Sequence, residues 1–303
     1  MNAIETVKLT KMYGKSRGIA DLDLTIREGD FFGFIGPNGA GKSTTIRTLL
    51  GLIRPTGGSA RIFGMDTEKD KTKILAETGY LPSETDYYRG MRVRDVLLYS
   101  AKLRKKDTWK DAEEMADRLQ LDLTKKVDEL SLGNRKKVGI ITAIQHHPKL
   151  IILDEPTSGL DPLMQREFFR ILQEENSRGA TIFFSSHILS EVQEHCRTAA
   201  FIRDGRIILS DRVEKLGHSG TKKVEVRSNA EQAGPGLAGI RSLPGVSVTE
   251  EAEGVLRFMY AGDIRNLLRQ LADGQITDVS ITEPSMEEIF MHYYQSEEKG
   301  ERS

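Results

Sequence analysis

The sequence predicts an α/β fold with a mixed sheet, interrupted by a helical insertion and followed by a small α+β domain. Apolar runs at residues 31–35, 150–153 and 180–184 are typical of buried strands. The last two runs flank a stretch of helical spacing at residues 162–177, and this order of strand, helix and strand indicates a parallel sheet. Apolar residues three and four apart dominate residues 84–147, which predicts the helical insertion.

Weaker periodic patterns place the remaining elements of the first domain. Residues 4–9 and 22–26 alternate apolar with polar side chains, as half-buried strands do. A helix is expected over residues 45–52, because apolar side chains recur there at helical spacing before Pro55. Further patterns predict helices at residues 93–103, 108–121 and 135–145, and a hairpin of residues 199–202 and 206–209 around Asp204 and Gly205.

The composition changes after Leu216. Residues 217–220 have the composition of a linker, and four valines then begin short alternating runs, with a helical pattern at residues 264–271. We therefore expect a first domain at residues 1–216, with its helical subdomain at about 84–147, and an accessory α+β domain at residues 217–303. The four valines are Val224, Val246, Val255 and Val279.

Composition and charge exclude several classes of protein. The 303 residues are 38% hydrophobic and 29% charged, a balance typical of a water-soluble globular protein. Lys and Arg number 44 against 45 for Asp and Glu, so no strong positive field attracts nucleic acid, and we expect no nucleic-acid partner. Cys196 is the single cysteine, which excludes an intramolecular disulfide. The N-terminus lacks a signal-peptide pattern and no apolar run is long enough to span a bilayer, so we expect neither secretion nor membrane insertion.

A glycine-rich segment follows the first apolar run and matches the pattern G-x-x-x-x-G-K-[ST]. Backbone N–H groups of such a loop wrap phosphate oxygens at a helix N-terminus, and glycine leaves room for that wrapping. Lys42 supplies a positive charge for the β and γ phosphates, and Ser43 supplies a hydroxyl for Mg²⁺. We therefore predict that ATP and Mg²⁺ bind here, on Gly36, Pro37, Asn38, Gly39, Ala40, Gly41, Lys42, Ser43 and the following Thr44.

Two adjacent acids end the apolar run at residues 150–153. The carboxyl ends of strands in α/β sheets are where ligands bind, and adjacent strand residues face opposite ways. We assign Asp154 to Mg²⁺ and Glu155 to polarising the attacking water. A pair of surface acids is the alternative for the two residues taken alone, and the preceding phosphate loop favours the catalytic interpretation.

Taken together, these motifs resemble the ATP-binding subunits of ABC transporters, over roughly residues 3–215. Residues 130–134 stand at the position of the family signature, residues 158–161 at that of the D-loop, and His187 at that of the switch histidine. The resemblance implies the fold of a P-loop NTPase of the ABC cassette type. It also implies ATP hydrolysis that drives transport through a separate membrane-spanning permease, with the chain located in the cytoplasm at the cytoplasmic face of the membrane.

The same resemblance implies roles for individual residues. Tyr13 would stack on adenine, with a core tyrosine as the alternative, and His187 would contact the γ-phosphate. Ser131 and Gly133 would close on ATP held by a second cassette, identical or different, next to the D-loop residue Asp161.

Two segments depart from the family pattern. Leu132 and Asn134 replace glycine and glutamine of the usual signature, and Ser83 occupies the position of the Q-loop glutamine. We assign Ser83, the residue at this position, to Mg²⁺.

The tail of the sequence is similar to that of cassettes that serve drug, antibiotic and peptide exporters. This similarity rests on residues 283–290, Glu-Pro-Ser-Met-Glu-Glu-Ile-Phe, and it favours export. Two alternatives stay open at this point: a soluble cassette ATPase that remodels a macromolecule, and an importer cassette whose tail senses substrate. The single phosphate loop and the short insertion argue against the first alternative.

Overall fold

A computed structural model of the chain describes residues 1–14, 16–217, 221–228, 239–252, 254–272, 276–284 and 288. The chain divides into two compact units, residues 1–212 and 213–303. The predicted linker lies mostly outside the described residues, so the expected domain boundary after residue 216 stays a prediction. Most of the exporter-like tail at residues 283–290 also lies outside them.

The first unit contains a six-stranded mixed sheet in the order β10-β9-β3-β8-β7-β6. Strands β9, β3, β8, β7 and β6 run parallel, and β10 pairs antiparallel with β9 at one edge. The strands of this sheet are β3 (Phe31–Ile35), β6 (Thr78–Leu81), β7 (Leu150–Asp154), β8 (Thr181–Ser186), β9 (Thr198–Arg203) and β10 (Arg206–Arg212).

A four-stranded antiparallel sheet accompanies it in the same unit, in the order β2-β1-β4-β5. It consists of β1 (Asn2–Tyr13), β2 (Ser16–Arg27), β4 (Gly57–Ile62) and β5 (Met65–Asp66). Strands β1 and β2 are the alternating segments predicted at residues 4–9 and 22–26, and both extend further than their patterns. The parallel and antiparallel sheets together confirm the predicted α/β fold with a mixed sheet.

Aromatic side chains fill the space beside the central strands. Phe34 of β3 packs against Phe183 of β8 with ring centroids 5.3 Å apart, and Phe32 packs against the same ring at 5.6 Å. All residues of β3, β7 and β8 are buried. This burial explains their continuous apolar runs and holds the ends of the three strands in fixed positions.

Each helix that the periodic patterns predicted in the first unit is present, most with shifted ends, and two further helices, at residues 71–76 and 189–195, were not predicted. The helices are α1 (Lys42–Leu49), α2 (Lys71–Ala76), α3 (Val93–Arg104), α4 (Trp109–Arg118), α5 (Leu132–Ile144), α6 (Pro162–Ser177) and α7 (Leu189–His195). Helix α1 begins earlier than residue 45, because its first turn presents no apolar side chain that a periodic pattern detects. It ends before residue 52, where Gly51 adopts a positive φ of 62°.

The second unit has its own core. After the short helix α8 (Val213–Gly217), strands β11 (Lys222–Ser228), β12 (Val246–Ala252), β13 (Val255–Tyr260) and β14 (Ile276–Thr282) form an antiparallel sheet in the order β12-β13-β11-β14. Helix α9 (Ile264–Ala272) buries Leu267 and Leu271 in a cluster with Val224 and Phe258. The predicted α+β character of the C-terminal part is confirmed.

Candidate nucleotide site

Four neighbouring strands of the six-stranded sheet end at the same edge. Because β3, β8, β7 and β6 are parallel, their carboxyl ends place four segments side by side. These segments are the phosphate loop at residues 36–43, the dipeptide Ser186-His187, the acids Asp154 and Glu155, and residues 82–87, which we call loop 82–87. The fold thus brings together motifs that are far apart in the sequence.

The phosphate loop has the backbone geometry that its glycines predict. Gly39 and Gly41 adopt positive φ values of 80° and 110°, and Gly41 is the N-cap of α1 without a side-chain hydrogen bond. A Cβ at Gly36 would lie 2.3 Å from the carbonyl oxygen of Ile202, so no larger residue fits. The loop therefore leads directly into a helix N-terminus whose first N–H groups can bind anionic oxygens.

The hairpin of β9 and β10 supports this loop. Its turn residues Asp204 and Gly205 both have positive φ, as a two-residue turn of type I′ requires. The N–H of Gly205 donates to Ala40 O at 2.8 Å, and the N–H of Ala20 donates to Gly205 O at 2.8 Å. The predicted turn thus fastens the phosphate loop to β2.

Lys42 lies buried at the centre of the site. Its Nζ donates to the carbonyl oxygens of Gly36 at 2.6 Å and Pro37 at 3.1 Å. The same Nζ lies 3.1 Å from Glu155 Oε1, an ion pair without the alignment of a hydrogen bond. The ammonium is therefore held between the phosphate loop and the end of β7.

Glu155 is the residue that connects the separate motifs. Its Oε2 lies 2.6 Å from His187 Nδ1, so the carboxylate lies between His187 and Lys42. Glu155 has a positive φ of 50°, an uncommon conformation for a residue with a side chain. Its N–H donates towards Ser185 O at 3.2 Å and Ser185 Oγ at 3.3 Å, which holds this turn in place.

The turn at Glu155 shows that strand alternation, the predicted reason why Asp154 and Glu155 differ, is wrong. Strand β7 ends at Asp154, so the alternation of side chains along a strand does not extend to Glu155. The two acids differ in their contacts because the backbone turns sharply between them.

Asp154 is fully buried, and only one of its carboxylate oxygens has a protein partner. Oδ1 accepts a hydrogen bond from Ser185 Oγ at 2.7 Å, while Oδ2 has no hydrogen-bond partner among the described residues. Helix α1, which begins with Lys42 and Ser43, contacts β7. An unpaired buried carboxylate oxygen suits Mg²⁺, a hard cation that prefers oxygen ligands.

The charges at these strand ends affect neighbouring groups. Burial raises the pKa of Tyr80 on β6, and the negative charge of Asp154 raises it further. Burial also raises the pKa of Glu191, whose Oε2 accepts a hydrogen bond from Ser186 Oγ at 2.7 Å. Lys136 responds in the opposite sense: burial lowers its pKa, while Asp154 and Glu155 partly restore it.

Tyr13 lies beside the phosphate loop and is 47% exposed. A Cβ placed on Gly18 would lie 2.9 Å from Tyr13 Cε2 and 3.0 Å from Thr44 Cγ2, so both side chains converge on that glycine. The Nζ of Lys11 lies 5.3 Å from the centroid of the tyrosine ring. This exposed ring is not the core tyrosine of the alternative interpretation, and its stacking on adenine stays a prediction.

The signature and D-loop residues contact each other. Ser131 is the N-cap of α5 and its Oγ accepts from the N–H of Asn134 at 3.3 Å. A Cβ at Gly133 would lie 2.4 Å from Gly159 O, so the two segments approach as closely as glycine permits. Asp161 caps α6 by accepting from the N–H groups of Leu163 and Met164 at 3.1 and 3.0 Å.

Two residues of the site were not predicted from the sequence. Ser185 holds both Asp154 and Glu155, and the only sequence signal for it is a polar residue at the end of an apolar strand. Lys136 donates from Nζ to Ser83 O at 2.7 Å, and no sequence motif marks this contact. The assignment of Ser83 to Mg²⁺ stays a prediction.

Comparisons with known proteins agree with this geometry. The family model described as ABC transporter matches residues 19–158, and that of the ATP-binding protein DrrA1-3-like, C-terminal domain, matches residues 215–294. The bacitracin transport ATP-binding protein BcrA of Bacillus licheniformis is 41% identical over 68% of this chain and 68% of its own length. An uncharacterized ABC transporter ATP-binding protein of Bacillus subtilis, YhaQ, is 34% identical over 93% of this chain and 95% of its own.

The chain belongs to the ATP-binding proteins of ABC transporters. A solved structure of the ATP-binding subunit of an ABC transporter, 26% identical, superimposes with a TM-score of 0.68 and covers 72% of this chain and 92% of that one. A dimeric bacterial ABC transporter cassette, 23% identical, has the same fold with a TM-score of 0.62 over 69% of this chain and 98% of its own.

This membership confirms the predicted cassette fold and the predicted ATPase activity, while the roles of the individual residues at the strand ends stay predictions. Subunits of this family act in transport, together with membrane permease components and as dimers. Among the described helices of this cassette, none combines the length and hydropathy that a membrane span requires.

Proposed function

We propose that the cassette hydrolyses ATP to drive export through a separate membrane permease, as one of two paired cassettes at the cytoplasmic face of the membrane. The observation that carries the proposal is the position of Glu155 between Lys42 and His187, with distances of 3.1 and 2.6 Å. A general base needs this kind of fixed placement beside the phosphate-binding groups.

The proposed reaction is the transfer of the γ-phosphoryl group of ATP to water. Glu155 accepts a hydrogen bond from the attacking water, whose oxygen bonds to the γ-phosphorus as the bond between that phosphorus and the β–γ bridging oxygen breaks. The water proton passes to Glu155, and ADP and phosphate leave. Lys42 stabilises the negative charge on the phosphates, and His187 keeps the Glu155 carboxylate oriented. Asp154 and Ser43 would hold Mg²⁺, which neutralises phosphate charge when bound.

The pairing of two cassettes follows from where the signature residues lie. Ser131 and Gly133 begin α5, a helix N-terminus of the kind that binds anions, and their observed contacts are with α5 and Gly159. We place the γ-phosphate of a second cassette against this N-terminus, so that each ATP is closed by the opposite subunit. Hydrolysis should then increase with protein concentration or with a permease that brings two cassettes together.

Export rather than import is favoured by the C-terminal part. Residues 215–294 match the domain model of DrrA1-3-like ATP-binding proteins, and BcrA, the relative from Bacillus licheniformis, is named for bacitracin transport. We propose that residues 217–303 form the accessory domain of an exporter cassette. An importer with a substrate-sensing tail is the alternative that binding of a small molecule to this domain would favour.

The test is an affinity purification of tagged Glu155→Gln cassette in mild detergent with ATP. Removal of the negative charge should stop hydrolysis and retain ATP, which keeps the paired state. Recovery of one polytopic membrane protein, identified by mass spectrometry, is the expected result. A second, different cassette in the same sample would establish a heterodimer.

The matched control is Glu77→Gln, because Glu77 is a partly exposed carboxylate that pairs with Lys149 at 3.4 Å. This variant should hydrolyse ATP normally and retain less of the membrane partner. Recovery of ribosomes or DNA-processing proteins in place of a membrane protein would contradict the transport proposal and favour the soluble remodeller.

A further inference from the structure

Lys136 is a buried ammonium that the ATPase chemistry described above does not use. Its side chain lies on α5 and is 2% exposed, and its Nζ donates to Ser83 O at 2.7 Å and lies 3.5 Å from Pro82 O. No salt bridge joins it to a carboxylate within the part of the chain that the structure describes. A buried charge is costly unless polar groups surround it, so these carbonyl contacts are needed to keep Lys136 where it is.

The same helix holds loop 82–87 at two further points. Tyr87 Oη donates to Arg135 O at 3.2 Å. A Cβ at Gly139 would lie 2.6 Å from Leu81 Cδ1 and 3.0 Å from Thr85 Cγ2, so the end of β6 and the loop lie directly on the helix surface. Gly139 lies three residues after Lys136 and four after Arg135, whose backbone oxygen accepts the Tyr87 hydrogen bond, so these contacts lie on the same side of α5, which is the side that carries the loop.

This face lies between two functional regions. Loop 82–87 follows β6, whose last residue Leu81 pairs with Leu153, next to Asp154 and Glu155. Helix α5 begins at the signature residues Ser131 and Gly133, less than two helical turns before Lys136. A movement of α5 relative to the loop would therefore change the surroundings of the hydrolysis site.

We propose that Lys136 is a positioning residue for hydrolysis, whose ammonium holds the Pro82 and Ser83 carbonyls on the signature helix. It acts through loop 82–87 and touches neither ATP nor water. The residue at the Q-loop position is serine, whose side chain is short, and the long side chain of Lys136 makes the connection from the helix side instead. This proposal rests on the proposed hydrolysis at Glu155 and is independent of the permease and of export.

Two substitutions of Lys136 that differ in charge and in N–H donors test the proposal. Lys136→Met keeps the length and apolar stem but leaves two buried carbonyls without a donor. Lys136→Arg keeps the charge and the N–H donors, although its planar group fits the pair of carbonyls differently. Lys106→Met is the matched control, because Lys106 also donates to a backbone carbonyl, that of His146 at 3.3 Å, and among the described residues it has no hydrogen bond to loop 82–87.

The first measurement is steady-state ATPase activity of the full chain with Mg²⁺ and ATP. Lys136→Met should lower kcat about tenfold and leave KM for ATP within about twofold, because the loop and not the phosphate site is disturbed. Lys136→Arg should recover most of kcat, and Lys106→Met should match the wild type. Equal losses in the Met and Arg variants, or an unchanged kcat in the Met variant, overturn the proposal.

The second measurement does not depend on activity. Backbone amide exchange over residues 82–87 of the full chain should become about tenfold faster in Lys136→Met and stay near wild type in Lys136→Arg and Lys106→Met. Unchanged amide exchange in a folded Lys136→Met variant overturns the proposal. A wild-type chain that hydrolyses ATP neither at high protein concentration nor with its permease would contradict the proposed function, and the exchange data would then decide the role of Lys136 alone.

Discussion

Two buried lysines, Lys42 and Lys136, carry the same ammonium in two different regions of the cassette. Both donate to pairs of backbone carbonyls, at 2.6 and 3.1 Å for Lys42 and at 2.7 and 3.5 Å for Lys136. Only Lys42 also pairs with a carboxylate, that of Glu155. Its closest carbonyl is 6 positions away in sequence, whereas that of Lys136 is 53 positions away.

This difference shows which contacts a short sequence motif can specify. The contacts of Lys42 with the loop are local, so a short pattern of residues specifies them together with the glycines. The contacts of Lys136 depend on a helix and a strand end that meet only in the folded chain. A functional lysine of the first kind is visible in a sequence, and one of the second kind is visible only in a structure.

The largest expected effect is the loss of Lys42. We expect Lys42→Met to lower kcat/KM for ATP hydrolysis by about 10²- to 10³-fold, because it removes preorganised charge stabilisation at the phosphates. Steady-state kinetics measures this effect, and the exposed Lys73→Met, whose partner is Asp70, serves as the control. A loss no greater than that for Lys136→Met would break the distinction between phosphate binding and positioning.

A smaller effect is expected for Ser185, whose hydroxyl contacts both Asp154 and Glu155. Ser185→Ala removes the hydroxyl that donates to Asp154 and accepts from the N–H of Glu155. We expect a loss of about 1–3 kcal/mol in the free energy of unfolding, because a buried carboxylate oxygen loses its donor. Denaturant unfolding measures the stability, and a parallel kinetic assay should give a lower kcat. Unchanged values in both assays would show that Asp154 and Glu155 hold their positions without Ser185.

Tyr87→Phe tests a second hydrogen bond between loop 82–87 and α5. It removes the hydrogen bond to Arg135 O and keeps the ring, so the free energy of unfolding should fall by about 0.5–1.5 kcal/mol. The kcat should stay within about twofold, because Lys136 still holds the loop. A drop in kcat equal to that for Lys136→Met would mean that the loop as a whole, and not the ammonium, positions the site.

A third basic residue, His147, lies between carboxylates, and its substitution is expected to have the smallest effect. Its Nδ1 lies 3.0 Å from both oxygens of Glu175 and 3.1 Å from Arg178 Nη1, and its Nε2 lies 3.1 Å from Asp111 Oδ1. Partial burial lowers the pKa of His147, but the hydrogen bonds to Glu175 and Asp111 outweigh it, so the net shift is upward.

A raised pKa means that this stabilisation is fully present below the ordinary histidine pKa of about 6.5 and is lost as pH rises through the folded value. The melting temperature of His147→Gln should therefore differ most from wild type near pH 6 and least near pH 9. We expect less than about 1 kcal/mol, because the ring is partly exposed and salt screens it. A difference that grows with pH would contradict this sign.

Sequence patterns predicted some elements to the residue and others only in part. Strand β3 and helix α6 have the predicted bounds, since an uninterrupted apolar run ends at Gly36 and Asp161 with Pro162 begins a helix by local capping. Helix α1 was predicted too late in the chain, because its first turn serves the phosphate loop and not the core. The positive φ of Glu155 was not predicted, because the contact that stabilises it comes from Ser185 on another strand.

The sequence by itself determined the phosphate loop, the acids after β7, the order of motifs and the presence of a second α+β unit, because each depends on residues that are close together along the chain. Only the tertiary structure decided the order of strands in the six-stranded sheet, the contact of Glu155 with Lys42 and His187, and the placement of Lys136 over loop 82–87. These contacts join residues far apart in sequence, and their geometry is set by the packing of helices and strands around a common core, which local patterns do not encode.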